Sequence, residues 1–265
     1  MTREVSSITR VGTTEPFYLQ VARNQISFHK SNFKFGFNPD IDNSLETIWA
    51  EGGLYSYLSS ASILKISSSS TDDDDGGTGA ETVQLYGLDA NYNEINETVT
   101  LDGQTAVNTV NEYLRINRIV VRSAGSGGTN AGIIYAGTGT VTTGVPANKY
   151  ATVVAGDGQT LMALWTVPAG YTAYLYQSHV TAACTTSNKL LTATVVARPY
   201  GEVFQVRDKF GIQVDGGDIN QVYSFPLKFT EKTDIEVRAI ADAGSANVEV
   251  SAGLDFIYIK NGNSL

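Results

Sequence analysis

Between Thr82 and Leu101 the chain reads TVQLYGLDANYNEINETVTL and continues DGQTAVNTVNEYLRINRIVV, so two strand patterns flank a polar turn and a third follows. Val83 and Leu85 alternate with Thr82, Gln84 and Tyr86. In the second limb Ile95, Val99 and Leu101 share one face, with Thr98 and Thr100 on the other. Alternate side chains of a strand point to opposite faces, so this period of two predicts half-buried antiparallel strands. The rest of the composition agrees. With 26 glycines, and with abundant Thr, Ser, Val and Tyr, the chain favours many short strands and tight turns. An all-β fold is expected, and 265 residues suffice for one large β domain or two smaller ones.

The organisation expected along the chain is an extended N-terminal arm over residues 1–40, an N-terminal β domain over 41–147 and a C-terminal β-sandwich over 148–265. The arm is basic and aromatic: Arg3, Arg10, Arg23, Lys30 and Lys34 are interleaved with Phe17, Tyr18, Phe28, Phe33, Phe35 and Phe37. Phe33, Phe35 and Phe37 alternate, so an extended strand sends all three to one side, where the stripe has to be covered. That strand is either an ordinary edge strand of the first domain or an arm laid across a neighbouring subunit. The next segment, NSLETIWAEGG, predicts a two-turn helix. Asn43 would cap it with Glu46 three residues on, Leu45, Ile48 and Trp49 would share a face, and Gly52-Gly53 would stop it. So short a helix would depend on docking Trp49 into a core or an interface.

From Ser67 to Ala80 the sequence SSSSTDDDDGGTGA predicts a solvated, self-repelling surface loop. A calcium loop is not matched, because Thr71 would stand at the first ligand position and Thr82 at the last. Asp89, Asn91 and Asn93 read as a hairpin turn. The G-x-G elements near Gly125 and Gly137 lack the lysine and the following helix of a phosphate loop. Val145-Pro146-Ala147-Asn148 is the expected domain boundary. Beyond it, runs such as TLMALWTV, TAYLYQSHV, LLTATVVARP and VEVSAGLDFIYIK have the density of a β-sandwich, with a jelly roll as the expected topology. In TLMALWTV the residues Leu161 to Trp165 are all apolar, so a two-layer strand there needs a further layer or a subunit to cover its second face.

Several function classes are disfavoured. A net charge of -9 argues against nucleic-acid binding, which rests on clustered Lys and Arg. Cys184 is the single cysteine and His29 and His179 the only histidines, too few for a disulfide or a Cys/His metal cluster. A Ser-His-Asp hydrolase lacks its G-x-S-x-G elbow, and His179 reads as a strand residue. No apolar run approaches a membrane span, and MTREVSSITR has no signal core. No cofactor, metal or catalytic set is expected.

The wording of several segments is similar to a known family. IDNSLETIWAEGGLYSY (Ile41 to Tyr57), GLDANYNEINETVTLDGQTAVNT, EYLRINRIVV, GIIYAGTGTVTTGVPANKYATV and VPAGYTAYLYQ resemble virion structural proteins of tailed bacteriophages. The resemblance implies a non-enzymatic protein, made in the bacterial cytoplasm and built into the virus particle. The most plausible role it implies is a capsid decoration or cement protein. The alternative is a tail component, such as a fibre, adaptor or host-adhesion protein, binding a receptor glycan. The partners implied are the major capsid protein or tail proteins together with self-association, a trimer being favoured, and neither nucleic acid nor membrane. The expected assembly interface is drawn from the aromatic residues Phe33, Phe35, Phe37, Trp49 and Trp165.

Overall fold

The computed structural model describes residues 7–10, 13–184, 189–242 and 248–262; residues 1–6 and 11–12 of the expected arm lie outside them. A hairpin of β1 (Ser7–Arg10) and β2 (Thr13–Pro16) leads into a single short helix, α1 (Phe17–Ala22). The long strand β3 (His29–Ile41) and the two-residue strand β4 (Glu46–Thr47) follow. Next come β5 (Ser62–Ser68), β6 (Ala80–Leu88), β7 (Glu94–Thr100), β8 (Val107–Tyr113), β9 (Arg115–Ala124), β10 (Ile134–Thr142) and β11 (Val145–Val153). The chain ends with β12 (Leu164–Thr166), β13 (Tyr171–Ala183), β14 (Leu190–Arg198), β15 (Gln205–Gln213), β16 (Asp215–Phe229), β17 (Asp234–Ala241) and β18 (Val248–Lys260). The fold is all-β, as the alternation and the turn residues demand.

The strands form two lobes, each around its own core. In the N-terminal lobe the sheet β11-β10-β5-β8 faces the sheet β7-β6-β9 across Leu64, Ile66, Val83, Leu85, Ile116 and Ile134. The expected hairpin is the β6–β7 pair, in register from Thr82 opposite Thr100 to Leu88 opposite Glu94. At its tip Asp89 accepts hydrogen bonds from the backbone N–H groups of Asn91 (2.8 Å) and Asn93 (2.9 Å), the local bonding that makes Asp a turn residue. In the C-terminal lobe the sheet β16-β13-β18-β3 packs on β12-β17-β14-β15, with β4 added alongside β17. Here β3 pairs with β18, β12 with β17, β13 with β16 and β14 with β15. First with last, second with seventh, third with sixth and fourth with fifth is one long antiparallel hairpin rolled up, which is a jelly roll.

This topology redraws the expected domains. The boundary placed at Val145–Asn148 falls inside the β10–β11 hairpin, where Thr142 lies opposite Val145 and Thr138 opposite Asn148. Residues 29–41, assigned to an arm, are the edge strand β3 of the C-terminal sheet, paired with β18 from His29 opposite Ile259 to Ile41 opposite Val248. The jelly roll is therefore discontinuous in sequence, and the N-terminal lobe is inserted between its first strand, β3, and its second, β12. The helix expected over NSLETIWAEGG is absent. Thr47 and Glu46 pair with Arg238 and Ala239 of β17, and Thr47 Oγ1 donates to Glu236 Oε2 at 2.7 Å. Glu46 does not close a capping box; its Oε2 accepts from the Gly53 N–H (2.7 Å) and from Asn38 Nδ2 (3.1 Å). Tertiary pairing has overridden a weak local propensity.

The chain crosses between lobes twice, and the crossings are neighbours. Ile48 N–H donates to Val237 O, Ala163 N–H to Ile48 O and Val237 N–H to Ala163 O, at 2.9, 2.9 and 3.0 Å, and Trp49 bridges Met162. Alternate residues feed different cores: Ile48, Ala163, Trp165 and Val167 enter the C-terminal core, whereas Trp49, Met162 and Leu164 enter the N-terminal one. The unbroken apolar run Leu161 to Trp165 thus needs no second subunit, because the other lobe of the same chain covers its second face. Gly36 of β3 lies directly over this joint, where a Cβ would overlap the backbone of Ala163 and Ile48.

Polar groups lock the joint. Asp234, 3% exposed, accepts from Arg115 Nε (2.8 Å) and Nη2 (3.1 Å) of the other lobe, from Arg198 Nη2 (2.6 Å) and from Thr166 Oγ1 (2.6 Å). The Tyr57 ring is close to both guanidinium groups, 4.8 Å from that of Arg115 and 4.7 Å from that of Arg198. Replacing Asp234 would leave the buried Arg115 and the partly exposed Arg198 without their shared carboxylate. Asp234→Ala is expected to cost about 3–5 kcal/mol, read as a fall in the denaturation midpoint.

The acidic loop is not uniformly solvated. Asp73 is fully buried. Its Oδ1 accepts from the N–H groups of Ala80 and Ala131, both at 2.7 Å, and its Oδ2 from Gly132 N–H (2.8 Å) and Ser68 Oγ (2.5 Å). One carboxylate thus ties three segments together, while Asp72 and Asp75 remain exposed. Asp73→Ala is expected to cost about 3 kcal/mol, since hydrogen bonds to charged groups are the strong ones. Asp72→Ser and Asp75→Ser should stay within about 0.5 kcal/mol, and paired thermal melts separate the two cases.

Candidate assembly surface

A strand at the edge of a two-layer sandwich has one face on the core and one face free. In β3 the inward positions are Lys34, Gly36, Asn38 and Ile41, all buried, and the outward ones are Phe33, Phe35 and Phe37. The sequence led to the phenylalanine side being covered, by the first domain or by a neighbouring subunit; within this chain the inversion is that the opposite side is buried and the phenylalanines face outward. The inversion follows from the joint beneath. Close approach to the crossing backbone requires Gly36, and Asn38 is needed to bond Glu46, so these positions take the inner face and the phenylalanines go out.

Outward, the phenylalanines are organised. Phe33 is 45% exposed; it stacks on Phe35 at 5.4 Å between centroids and on the His179 imidazole of β13 at 6.0 Å. Between β3 and β13 runs β18, where Gly253 lies opposite both Phe35 and His179. A Cβ there would overlap the imidazole ring, so the glycine makes the gutter in which His179 lies. On the same face Tyr18 of α1 stacks on Tyr176 at 4.7 Å, and Asp255 stands opposite Phe33. Burial pushes the Asp255 carboxyl up, and the nearby His179 partly offsets this. At the other edge of the sheet Phe225 of β16 is 90% exposed.

Of the five residues proposed for the interface, the structure brings Phe33, Phe35 and Phe37 together on this face and removes the two tryptophans from it. Trp49 is 5% exposed and donates from Nε1 to Gly52 O (2.8 Å), anchoring the N-terminal core. Trp165 is 4% exposed, with its ring 5.0 Å from Phe256 and 5.2 Å from Tyr258 in the C-terminal core. Both stand on the crossings, and this accounts for two large aromatics in otherwise short segments. His179, Tyr176 and Tyr18 belong to the face and were not chosen from sequence. The period of two in TAYLYQSHV carried a signal for Tyr176, but a β-bulge between Leu175 and Gln177 shifts the register before His179. Among the described residues no group of three His, Cys, Asp or Glu side chains is placed to hold a metal ion, and no helix is long and apolar enough to cross a membrane.

No protein-family model matches the chain, and no curated protein matches it. Among solved structures, that of the infectious bursal disease virus Gx strain is similar to 89% of this chain over 73% of its own, at 13% identity and a TM-score of 0.26. The VP2 subviral particle of infectious bursal disease virus is similar to 94% of this chain over 78% of its own, at 11% identity and a TM-score of 0.24. These are weak likenesses to viral capsid proteins.

The exposed stack should be dispensable for folding. Phe33→Ser combined with Phe35→Ser is expected to leave the isolated chain folded, with stability lowered by about 1–2 kcal/mol, while binding of a hydrophobic dye falls. A double variant that loses its near-ultraviolet circular dichroism would instead place both rings in the core.

Proposed function

We propose that this chain is a non-enzymatic virion structural protein of a tailed bacteriophage, a capsid decoration or cement protein that binds the major capsid protein lattice and associates with itself as a trimer. The observation that carries the proposal is the organised, half-exposed phenylalanine stripe on the open face of the jelly roll. A stacked aromatic patch of this kind on a soluble chain marks an interaction surface. The net charge of -9 and the phage-like wording of the sequence support the same reading. Cohesion would come from buried area: covering about 800 Å² per partner reaches the size of a specific interface. The mechanism needs no reacting group, only a rigid sandwich that presents the stripe and resists deformation while the shell is under load.

A second reading, a tail component with a receptor glycan, is favoured by a trough of about 540 Å³ beside the joint, where Tyr57, Tyr92 and Tyr200 offer rings and Ser59 and Ser60 offer hydroxyls. Counting copies separates the two. Quantitative mass spectrometry of purified particles is expected to give hundreds of copies for decoration, against about 3 to 18 for closed tail rings. The Phe33→Ser, Phe35→Ser variant should be lost from particles on sedimentation while remaining soluble. A low copy number, or full retention of the double variant, would overturn the decoration reading.

A further inference from the structure

The joint between the lobes contains a cleft of about 420 Å³, walled by β3, β6, β7, β9, β12 and β18. Its charge is opposite to that of the whole chain. Lys34, Arg118 and Arg122 line it, and Glu94 is the one carboxylate among the lining residues. Glu94 is already engaged, by Lys30 Nζ at 2.5 Å and by Tyr258 Oη at 3.1 Å. None of the three cations has a carboxylate partner in the described chain. Lys34 Nζ donates to the backbone O of Asn117, Arg118 Nη2 to Phe33 O (2.9 Å), and Arg122 to Gln84 Oε1 (3.1 Å) and to the Tyr86 hydroxyl.

Lys34 is the telling member. It is 3% exposed, and a buried ammonium without a counter-ion is costly, so such a residue is seldom retained for packing. Desolvation, with the like charge of Arg118 adding to it, pushes its ammonium well below the usual lysine range. Two amides lining the same cleft are unsatisfied as well: Asn32 Nδ2 and Asn117 Oδ1 are buried without a hydrogen-bond partner in the chain. Buried polar atoms are nearly always paired, and two orphans beside an uncompensated lysine call for a ligand that supplies both negative oxygen and a hydroxyl.

We propose that the inter-lobe cleft is a binding site for a small hydroxylated anion, either an acidic sugar of the uronate class or hydrogenphosphate, held by Lys34 and Arg118 from opposite walls with Arg122 at the mouth. The volume is within the range of small-molecule sites. The anion would give Lys34 its missing counter-charge, and would join β3 of one lobe to β9 of the other. The site stands apart from the phenylalanine stripe, which lies on the other face of β3, and does not depend on the assembly role.

The test is calorimetric titration of the full chain at low, constant chloride with sodium phosphate, sodium glucuronate and, as a neutral control, glucose. The wild type is expected to bind at least one of the two anions and not glucose, with a matching rise in melting temperature. Binding of glucuronate alone assigns the site to acidic sugars, and binding of phosphate alone to a free oxyanion. Lys34→Met should fold and bind at least about tenfold more weakly, the loss of one charge-assisted hydrogen bond. Arg122→Gln alters an exposed side chain and serves if Lys34→Met does not fold; it should also weaken binding. No binding of either anion by the wild type at millimolar concentration, equal binding of glucose, or undiminished binding by both folded variants would overturn the proposal.

Discussion

The two adjacent crossings between the lobes are the constraint to which the other features answer. Three backbone hydrogen bonds among Ile48, Ala163 and Val237 fuse both crossings to β17. Because side chains alternate along each crossing, the same few residues seed two cores. The lobes are therefore not beads on a linker: an interface continuous with both cores gives relative motion little room. The Arg115–Asp234–Arg198 cluster fits the same constraint. A carboxylate buried between two guanidinium groups gains little net stability over apolar packing, yet it is costly to form with the wrong partners, which favours a single seating of one lobe on the other.

Much of this fold was legible in the sequence and some of it was not, for identifiable reasons. The β6–β7 hairpin and its Asp89 turn were read from a period of two and from Asp89, Asn91 and Asn93, both local signals. The jelly roll was read from strand density. What failed was anything set by distant partners. Residues 43–53 carry helix punctuation, but Glu46 and Thr47 are claimed by β17, nearly two hundred positions away in the chain. The apolar run at Leu161 to Trp165 correctly announced burial on both faces, while nothing local says whether a neighbouring lobe or a neighbouring subunit supplies the second cover. Asp73 hid within a run of four aspartates, since burial of one carboxylate among identical neighbours leaves no trace in composition. The phenylalanine stripe was seen as one face; which face depended on Gly36 and the backbone pressed against it.

The two surfaces of β3 divide labour in a way that the net charge of the chain conceals. Outward, the strand offers polarizable rings and almost no charge, a surface suited to broad apolar contact that tolerates high salt. Inward, Lys34 and its neighbours concentrate positive charge where solvent is scarce, so that the field there is weakly screened. Along β3 alone, then, a lysine faces inward and phenylalanines face outward, the reverse of the usual distribution.

The pairing of β3 with β18 joins the first and the last long strands among the described residues, so β3 leaves the ribosome long before its partner. From Ile41 to Val248 the chain must be made in full before the sheet edge can close, whereas the core of the inserted lobe, from Trp49 to Leu164, is complete far earlier. Vectorial synthesis therefore offers an order of events: the inserted lobe condenses first on the nascent chain, while β3 waits unpaired with its phenylalanines uncovered. Gly36 then has to find the backbone of Ala163 and Ile48 already in place. A chain arrested before β18 would keep a compact inserted lobe and present an open aromatic strand, the kind of edge that recruits chaperones and seeds aggregation.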